Sequence, residues 1–195
     1  MGCIILIIGD VHGKVNEYKK IINNCHQSIQ VGDFSVDAED HRWAEENLPP
    51  NHWINFGNHD DASFLTSDHS CGDYQLFSQF NLMTIRGAYS IDRQYRYQGI
   101  NWWDEEEMGY SSQISTLDFY KQIKPRIVVS HDCPSFIADI FFGITDHSST
   151  RRFLRELLTY HKPDMWIFGH HHKSKRQLID GTLFISLAEL EVLEL

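Results

Sequence analysis

Seven side chains with oxygen or imidazole donor atoms follow five apolar stretches of this sequence, each at the point where the stretch ends. The set is Asp10, His12, Asp33, Asn58, His131, His170 and His172. Carboxylate, amide and imidazole groups without a thiolate suit Mn, Fe, Zn or Ni better than Mg alone or copper(I). Each residue by itself has an ordinary explanation, because aspartates after glycine make turns and isolated histidines are commonly structural. Their repeated placement after successive apolar stretches predicts one shared metal site.

Three consecutive histidines, His170 to His172, follow an apolar stretch and Gly169. If the backbone stays extended, alternation places His170 and His172 on one face and His171 on the other. We therefore expect two of the three to share the site and His171 to be dispensable for metal binding. Gly169 is where we expect the backbone to turn sharply. The alternative is a solvated polar turn.

Strands and helices alternate along the chain and would position these residues. A continuous apolar run, typical of a strand buried on both faces, covers Cys3–Ile8. Further strands are predicted at Ser28–Val31, His52–Phe56, Arg126–Ser130 and Met165–Phe168. Helical patterns cover Lys14–Cys25, Ala38–Leu48, Ser112–Ile123 and Ser148–His161. In open α/β sheets, ligands bind outside the carboxyl ends of strands. The predicted fold class is α/β, with the site at those ends.

The remaining segments have weaker patterns. We expect a loop or short-helix insertion at 62–81, strands at Leu82–Ile91 and Tyr95–Ile100, and a surface loop at 101–109. Ser174–Ile179 and Thr182–Leu187 flank Asp180-Gly181, which predicts a hairpin with a primed turn. The length of 195 residues favours a single domain over 1–195, with a candidate insertion or cap at 61–110.

Composition restricts the partners. The formal net charge of −10 disfavours binding to duplex nucleic acid. The first apolar run is too short to span a bilayer, and no cleavage pattern follows it, so we expect neither membrane insertion nor export. Four cysteines without a C-x-x-C pair are typical of reduced thiols in a cytoplasmic protein.

The ordered motifs resemble the calcineurin-like metallophosphoesterase family, specifically its small phosphodiesterase-like branch. The matching blocks are Asp10-Val11-His12, Gly32-Asp33, Gly57-Asn58-His59-Asp60, His131 and Gly169-His170-His171-His172. The resemblance implies a metallophosphoesterase-type core of two packed mixed sheets flanked by helices. It also implies two divalent ions, with manganese favoured and iron, zinc or nickel as alternatives. The implied ligands are Asp10, His12 and His172 on one ion, Asn58, His131 and His170 on the other, and Asp33 between them.

The resemblance also implies a reaction. Two divalent ions ~3.5–4 Å apart polarise a phosphoester and generate a hydroxide that attacks phosphorus in line. His59 resembles the family histidine that protonates the leaving oxygen or steadies the phosphoryl group, with Asp60 as its orienting partner. Asn58 and His59 are thus the expected substrate-binding residues beside the ions. The alternative for His59 is a supporting role behind the ligands.

The substrate is less well determined than the reaction. Asp33 is followed by Phe34-Ser35 rather than by the Asp-Arg-Gly segment of the family's protein phosphatases, which favours a small phosphodiester or monoester, including nucleotides. Candidates for a wall that binds phosphate and stacks on a base are Arg86, Arg93, Arg96, Tyr95, Tyr97, Trp102 and Trp103. The alternative is a hairpin with packed aromatic residues and solvated arginines.

Two other functions remain open. A nuclease of the same fold needs an electropositive groove, for which the candidates are Arg151, Arg152 and Arg155 or Lys173, Lys175 and Arg176. A binding scaffold on a relict fold would have lost ligands, and every block is present here. Cys133 is predicted to be a packed thiol rather than a nucleophile.

Overall fold

The computed structural model describes residues 4–145 and 148–195. The strands are β1 (Leu6–Ile8), β2 (Ser28–Gln30), β3 (His52–Ile54), β4 (Tyr74–Phe77), β5 (Leu82–Ile85), β6 (Ile127–Ser130), β7 (Met165–Phe168), β8 (Lys175–Ile179), β9 (Thr182–Ser186) and β10 (Val192–Glu194). The α-helices are α1 (Val15–Ile22), α2 (Ala38–Asn47), α3 (Tyr110–Ile123), α4 (Ser135–Phe142) and α5 (Ser149–Tyr160).

The strands form two mixed sheets. One has the order β10-β1-β2-β3, and the other has the order β4-β5-β6-β7-β9-β8. The strands β1 to β3 are parallel, as are β5, β6, β7 and β9, whereas β10, β4 and β8 run antiparallel to their neighbours. Because parallel strands end on the same side of a sheet, the loops after them can meet at one edge.

Burial alternates along the strands and defines the layers. In β7, Trp166 and Phe168 pack with residues of α3, α4 and α5, whereas Ile167 packs with Ile7 and other residues of the four-stranded sheet. A third apolar cluster lies between that sheet and the helices α1 and α2. Each fully buried large apolar side chain contributes about 1.5–3 kcal/mol by leaving water. The predicted core of two packed mixed sheets flanked by helices is confirmed.

The hairpin prediction is confirmed as well. Strands β8 and β9 pair antiparallel around Asp180 and Gly181. Both turn residues have positive φ, 51° and 89°, as a type I′ turn requires.

The segment after β5 differs from the prediction. The strand predicted at Leu82–Ile91 ends at Ile85, and the chain then leaves the sheet near Gly87, whose φ is 96°. Tyr95–Ile100, all of it described, is not a strand: a 3₁₀ turn ends at Tyr95, and a bend and a turn follow, with an isolated bridge between Gln98 and Trp102. Residues 86–109, here called the 86–109 segment, lie outside both sheets, whereas β4 and β5 belong to the six-stranded sheet.

Three of these helices and strands were not predicted: α4, β4 and the C-terminal strand β10. The helix α4 consists almost entirely of apolar residues after Ser135, so it lacks the polar face that makes a helical period visible. The strand β4 lies within 62–81 and is defined by its antiparallel pairing with β5 rather than by its own pattern.

Candidate metal centre

The predicted ligands converge at the edge where the parallel strands of both sheets end. They follow β1 (Asp10, His12), β2 (Asp33), β3 (Asn58), β6 (His131) and β7 (His170, His172). Their donor atoms form two groups, in each of which all atoms lie within 4.8 Å of one another. The outer group is Asp10, His12, Asp33 and His172; the inner group is Asp33, His131 and His170, with Asn58 beside it. Asp33 belongs to both groups.

The outer group is partly open to solvent. The Nε2 atoms of His12 and His172 lie 2.8 Å apart. His172 Nε2 is 3.2 Å from Asp10 Oδ2, and His12 Nε2 is 3.7 Å from Asp33 Oδ2. The side chains of His12 and His172 are 21% and 42% exposed.

The inner group is buried more deeply. His131 Nε2 lies 3.2 Å from both Asp33 Oδ1 and Asn58 Oδ1. His131, Asp33 and Asn58 are all at most 2% exposed. Asn58 Nδ2 donates a hydrogen bond of 2.9 Å to Ser90 Oγ, which turns the amide oxygen toward His131.

The backbone of the ligand loops is strained. Four of the seven predicted ligands have positive φ: His12 (47°), Asp33 (59°), His170 (64°) and His172 (52°). Such conformations in residues other than glycine cost on the order of 1–3 kcal/mol each and concentrate at functional sites. The premise that the histidine tract is extended is therefore wrong, although His170 and His172 still join the site.

Gly169 is required for a close approach rather than for the turn. Its φ is not positive, but a Cβ added there would collide with Asp10 Oδ1 and with Val31. Gly57 has the same role, because its Cβ would collide with Asp33. These glycines let neighbouring ligand loops pack against each other.

His171 points into a side pocket behind the ligands. Its ring stacks on Phe142 with the centroids 4.0 Å apart, and its Nε2 lies 3.3 Å from Asp132 Oδ1. Asp132, His170 and His171 form a third group of potential ligand atoms. Arg151 Nε lies 2.8 Å from Asp132 Oδ2, however, and this fixed positive charge disfavours another cation there.

The electrostatics tie the inner group to Asp33. Burial alone would lower the pKa of His131, but the adjacent Asp33 carboxylate raises it to about 10. Burial opposes ionisation of Asp33, yet His131 brings the pKa of Asp33 below its ordinary range. Burial lowers the pKa of His170 to about 3, which keeps its imidazole neutral and able to bind a cation. The hydrogen bond with Asp10 raises the pKa of His172.

Asp60 does not have the predicted contact. Its carboxylate accepts hydrogen bonds from the backbone N–H groups of Asp33 (3.0 Å), Phe34 (2.7 Å), Ser35 (3.0 Å) and Gly57 (2.8 Å). The contacts of the described residues include none between Asp60 and His59, so the expectation that Asp60 orients His59 is wrong. Asp60 instead fixes the loops that carry Asp33 and Asn58.

His59 lies at the rim of the two groups. Its ring centroid is 5.3 Å from that of His12, and its backbone N–H donates to Asp33 Oδ1 at 2.7 Å. Its Nε2 accepts a hydrogen bond of 2.8 Å from Arg96 Nη2. Burial lowers the pKa of His59, and Arg96 lowers it further, against the opposing effect of Asp33.

The predicted substrate wall is not assembled as one surface: four of its members line two different cavities, and Arg86, Tyr95 and Tyr97 line neither. Arg96 lines the cleft of about 440 Å³ that also contains Asn58, His59 and the three histidines. Arg93, Trp102 and Trp103 line a separate cavity of about 60 Å³. The Arg93 guanidinium lies over the rings of Tyr89 and Trp102, at 5.1 and 5.7 Å.

Three supporting residues were missed in the sequence. Glu189 follows β9 and places Oε1 3.5 Å from His172 Nδ1, while its other oxygen contacts Lys14. Its position after a parallel strand is the signal that would have found it. Ser90 and Glu106 come from the 86–109 segment, and their sequence surroundings carry no such signal.

The chemistry of the groups fits divalent cations. Asp10 Oδ1 and Asp33 Oδ2 are buried and have no hydrogen-bond partner among the described residues. A buried carboxylate oxygen without a partner is costly, and a bound cation would remove that cost. Carboxylate and imidazole donors from separate loops are the ligand types that such ions take.

Other features bear on the chemistry and the setting. Cys133 is a free and fully buried thiol, and burial raises its pKa well above the ordinary value, as expected for a packed cysteine. Across residues 4–145 and 148–195, the helices are too short or too polar to cross a membrane.

Several solved structures resemble this fold. The phosphopantetheinyl hydrolase from Mycobacterium tuberculosis is 11% identical, with a TM-score of 0.61 over 97% of this chain and 91% of that one. A putative 5′-nucleotidase from Staphylococcus aureus is 14% identical, with a TM-score of 0.55 over 98% of this chain and 50% of that one. A 5′-nucleotidase from Candida albicans is 12% identical, with a TM-score of 0.51 over 96% of this chain and 45% of that one. At these identities the likeness concerns the fold.

Comparison of the sequence with protein families identifies the family of this chain. A search of curated protein sequences returns no match. The profile of the calcineurin-like phosphoesterases matches residues 4–174, which include both ligand groups and His59. The chain therefore belongs to the calcineurin-like phosphoesterase family.

Proposed function

We propose that the cleft hydrolyses a small phosphoester, with two divalent cations held by the outer and inner groups. Family membership supports metal-dependent phosphoester hydrolysis in general. The finer proposal is a phosphodiesterase or phosphatase that takes a small substrate, including nucleotides, and that uses manganese in a cytoplasmic protein. The proposed catalytic and substrate-binding residues are His59 and Asn58.

The placement of Asp33 is the observation that supports a pair of cations. One of its carboxylate oxygens lies beside His131 and the other faces His12, so a single side chain contacts both groups. The oxygen facing His12 is buried and has no hydrogen-bond partner within the described part of the chain. Asp33 would therefore help to hold both cations.

The cations and the residues beside them would have separate roles in hydrolysis. When bound, two divalent cations supply Lewis acidity and lower the pKa of water into the neutral range. Asn58 and His59 border the cleft next to Asp33, where they would hold the phosphoryl group. Burial lowers the pKa of His59 and so favours the neutral imidazole, whose remaining N–H would donate a hydrogen bond to a phosphoryl oxygen. Passing a proton to the leaving oxygen would require the protonated imidazolium.

The alternative functions are weaker. Of the six candidate cations for a nuclease groove, Arg151 is 1% exposed and paired with Asp132, so it would add little positive charge to such a groove, and the other five are exposed. The net charge of −10 disfavours a nucleic-acid substrate. A relict scaffold has no reason to retain buried, strained ligand loops.

The first prediction compares hydrolysis of bis-p-nitrophenyl phosphate and p-nitrophenyl phosphate with added Mn²⁺. Asp33→Asn removes the charge shared by both groups, and we expect kcat/KM to fall by about 10²–10³-fold or more. His59→Ala should reduce turnover by about 10²–10⁴-fold if the residue transfers a proton. Asp118→Asn, on the exposed side of α3, is the matched control and should be unchanged.

The outcomes separate the proposals. Absence of metal-dependent turnover of either ester by the wild-type protein would rule out the proposed activity. Predominant turnover of the monoester would overturn the preference for diesters. Cleavage of single-stranded DNA or RNA by the same preparation would favour the nuclease.

A further inference from the structure

We propose that Arg96 binds the phosphoryl oxygens of the substrate and that the 86–109 segment serves to place it in the cleft. This inference rests on the proposed function, because it names a substrate-binding residue of the same site. It goes further in assigning a role to a segment that lies outside both sheets.

The position of the guanidinium carries the inference. Arg96 lines the cleft, its Nη2 lies 2.8 Å from His59 Nε2, and its Nη1 lies 3.4 Å from the carbonyl oxygen of Asn58. His59 in turn donates its backbone N–H to Asp33. The guanidinium therefore borders the point where a phosphoryl group held by Asn58 and His59 would lie. The Nη groups already have protein acceptors, so a phosphoryl group would replace the contacts with His59 Nε2 and with the Asn58 carbonyl oxygen. One N–H of Nη1 and one of Nη2 would then face two oxygens of the phosphate.

Carboxylates hold the arginine in this position. Its side chain is only 8% exposed, and Asp92 Oδ1 lies 2.8 Å from Nη2. Glu106, which is 2% exposed, places Oε1 3.8 Å from Nη1, and the carbonyl oxygen of Asn101 lies 3.3 Å from Nη1. A guanidinium fixed in this way loses little further side-chain entropy when it binds an anion.

The other cations of the cleft are less suited to this role. Lys173 is exposed, and Arg151 is paired with Asp132 behind His171. Among the described residues that line the cleft, Arg96 is the cation that contacts both Asn58 and His59.

A purely structural role must be distinguished from phosphate binding. Arg96 also ties the 86–109 segment to the Asn58-His59 corner, so its loss could act through the fold alone. The test therefore measures binding of inorganic phosphate by calorimetry, to the Mn²⁺-loaded and to the metal-free protein, along with KM, kcat, metal content and melting temperature. The variants are Arg96→Ala and Arg96→Lys. Arg126→Ala, an exposed arginine at the opposite end of β6, is the control.

We expect Arg96→Ala to weaken phosphate binding and to raise KM for bis-p-nitrophenyl phosphate, each by about 10- to 100-fold, as for the loss of a charge-assisted hydrogen bond. Arg96→Lys should recover part of the phosphate affinity, because it keeps the charge but loses the fork. Metal content should stay the same in both variants, and Arg126→Ala should match the wild type.

Unchanged phosphate affinity in Arg96→Ala would overturn the inference, as would a lowered melting temperature or metal content accompanied by normal phosphate binding. If Arg96→Ala does not fold, the affinity of Arg96→Lys decides, and a value equal to that of the wild type contradicts the role of the fork. The calorimetry also separates this inference from the proposed function. A wild-type protein that binds phosphate through Arg96 but hydrolyses neither ester would refute only the activity.

Discussion

The outer and inner groups share Asp33 but lie in different surroundings. His172 of the outer group is 42% exposed, and His12 is 21% exposed. His131 and Asn58 of the inner group are at most 2% exposed. The outer group is thus the more open side of the site. The inner group is buried more deeply, and its half-buried member His170 borders the cleft.

The difference in burial has two consequences. An interaction between charges is stronger where water is excluded, so the inner group should bind its cation more firmly. Asn58 beside the inner group is also held by distant parts of the chain, because Ser90 contacts its side chain and Arg96 contacts its carbonyl oxygen. The outer group, which water reaches, is the side from which a cation should be lost first.

The largest expected effect is a loss of stability in His131→Ala that His172→Ala should not show. In metal-free protein His131 is an imidazolium paired with buried Asp33, because its pKa is raised to about 10. Removing one partner of a buried pair costs about 3–5 kcal/mol in the free energy of unfolding. Removing an exposed partner such as His172 costs about 1 kcal/mol or less. Urea denaturation in the presence of a chelator measures both changes.

Metal analysis of the same variants tests the division of ligands. His172→Ala should keep one equivalent of Mn²⁺ after mild chelation, and His131→Ala should lose the more firmly bound equivalent. The comparison would fail if both variants lost the same equivalent, or if His172→Ala destabilised the metal-free protein as much as His131→Ala.

A smaller effect is expected for His171→Ala. His171 lies behind the ligands, against Phe142 and Asp132, so the variant should keep both metal equivalents. Loss of a residue that supports ligands commonly weakens metal binding by about 10- to 100-fold, and we expect the lower value here. Competition with a chelator of known affinity gives the change, with the exposed His26→Ala as control. Loss of a full equivalent would make His171 a ligand and remove the proposed division.

These two groups also show what sequence can and cannot predict. The proximity of Asp10, Asp33 and His131 could be predicted because each follows a strand, and the carboxyl ends of parallel strands lie together whatever the intervening chain does. The role of Asp60 was wrong because proximity in sequence to His59 does not determine where a side chain points. The bond from Asn58 to Ser90 joins residues that are distant in sequence and lies in a segment without regular structure, so no local pattern reports it.

The smallest expected effect concerns Glu106, which supports the inner side alone. Burial raises the pKa of Glu106 from 4.5 to about 7, with Ser90 and Arg96 opposing the shift. Because the folded state holds this proton more tightly than the unfolded state, the stabilising contribution is complete below about pH 4.5 and is lost as pH rises through 7.

Glu106→Gln cannot ionise, so the free energy of unfolding of the wild type relative to this variant should fall between pH 5 and 8. The expected fall is on the order of 1–2 kcal/mol after allowance for screening by water. Urea denaturation of the metal-free protein across this range measures the fall. In a separate measurement on Mn²⁺-loaded protein, Glu106→Gln should leave the Mn²⁺ bound by the outer group unchanged. A difference between the two proteins that does not vary with pH would show that Glu106 is ionised throughout, held by Arg96, and that the 86–109 segment supports the inner side by a fixed ion pair.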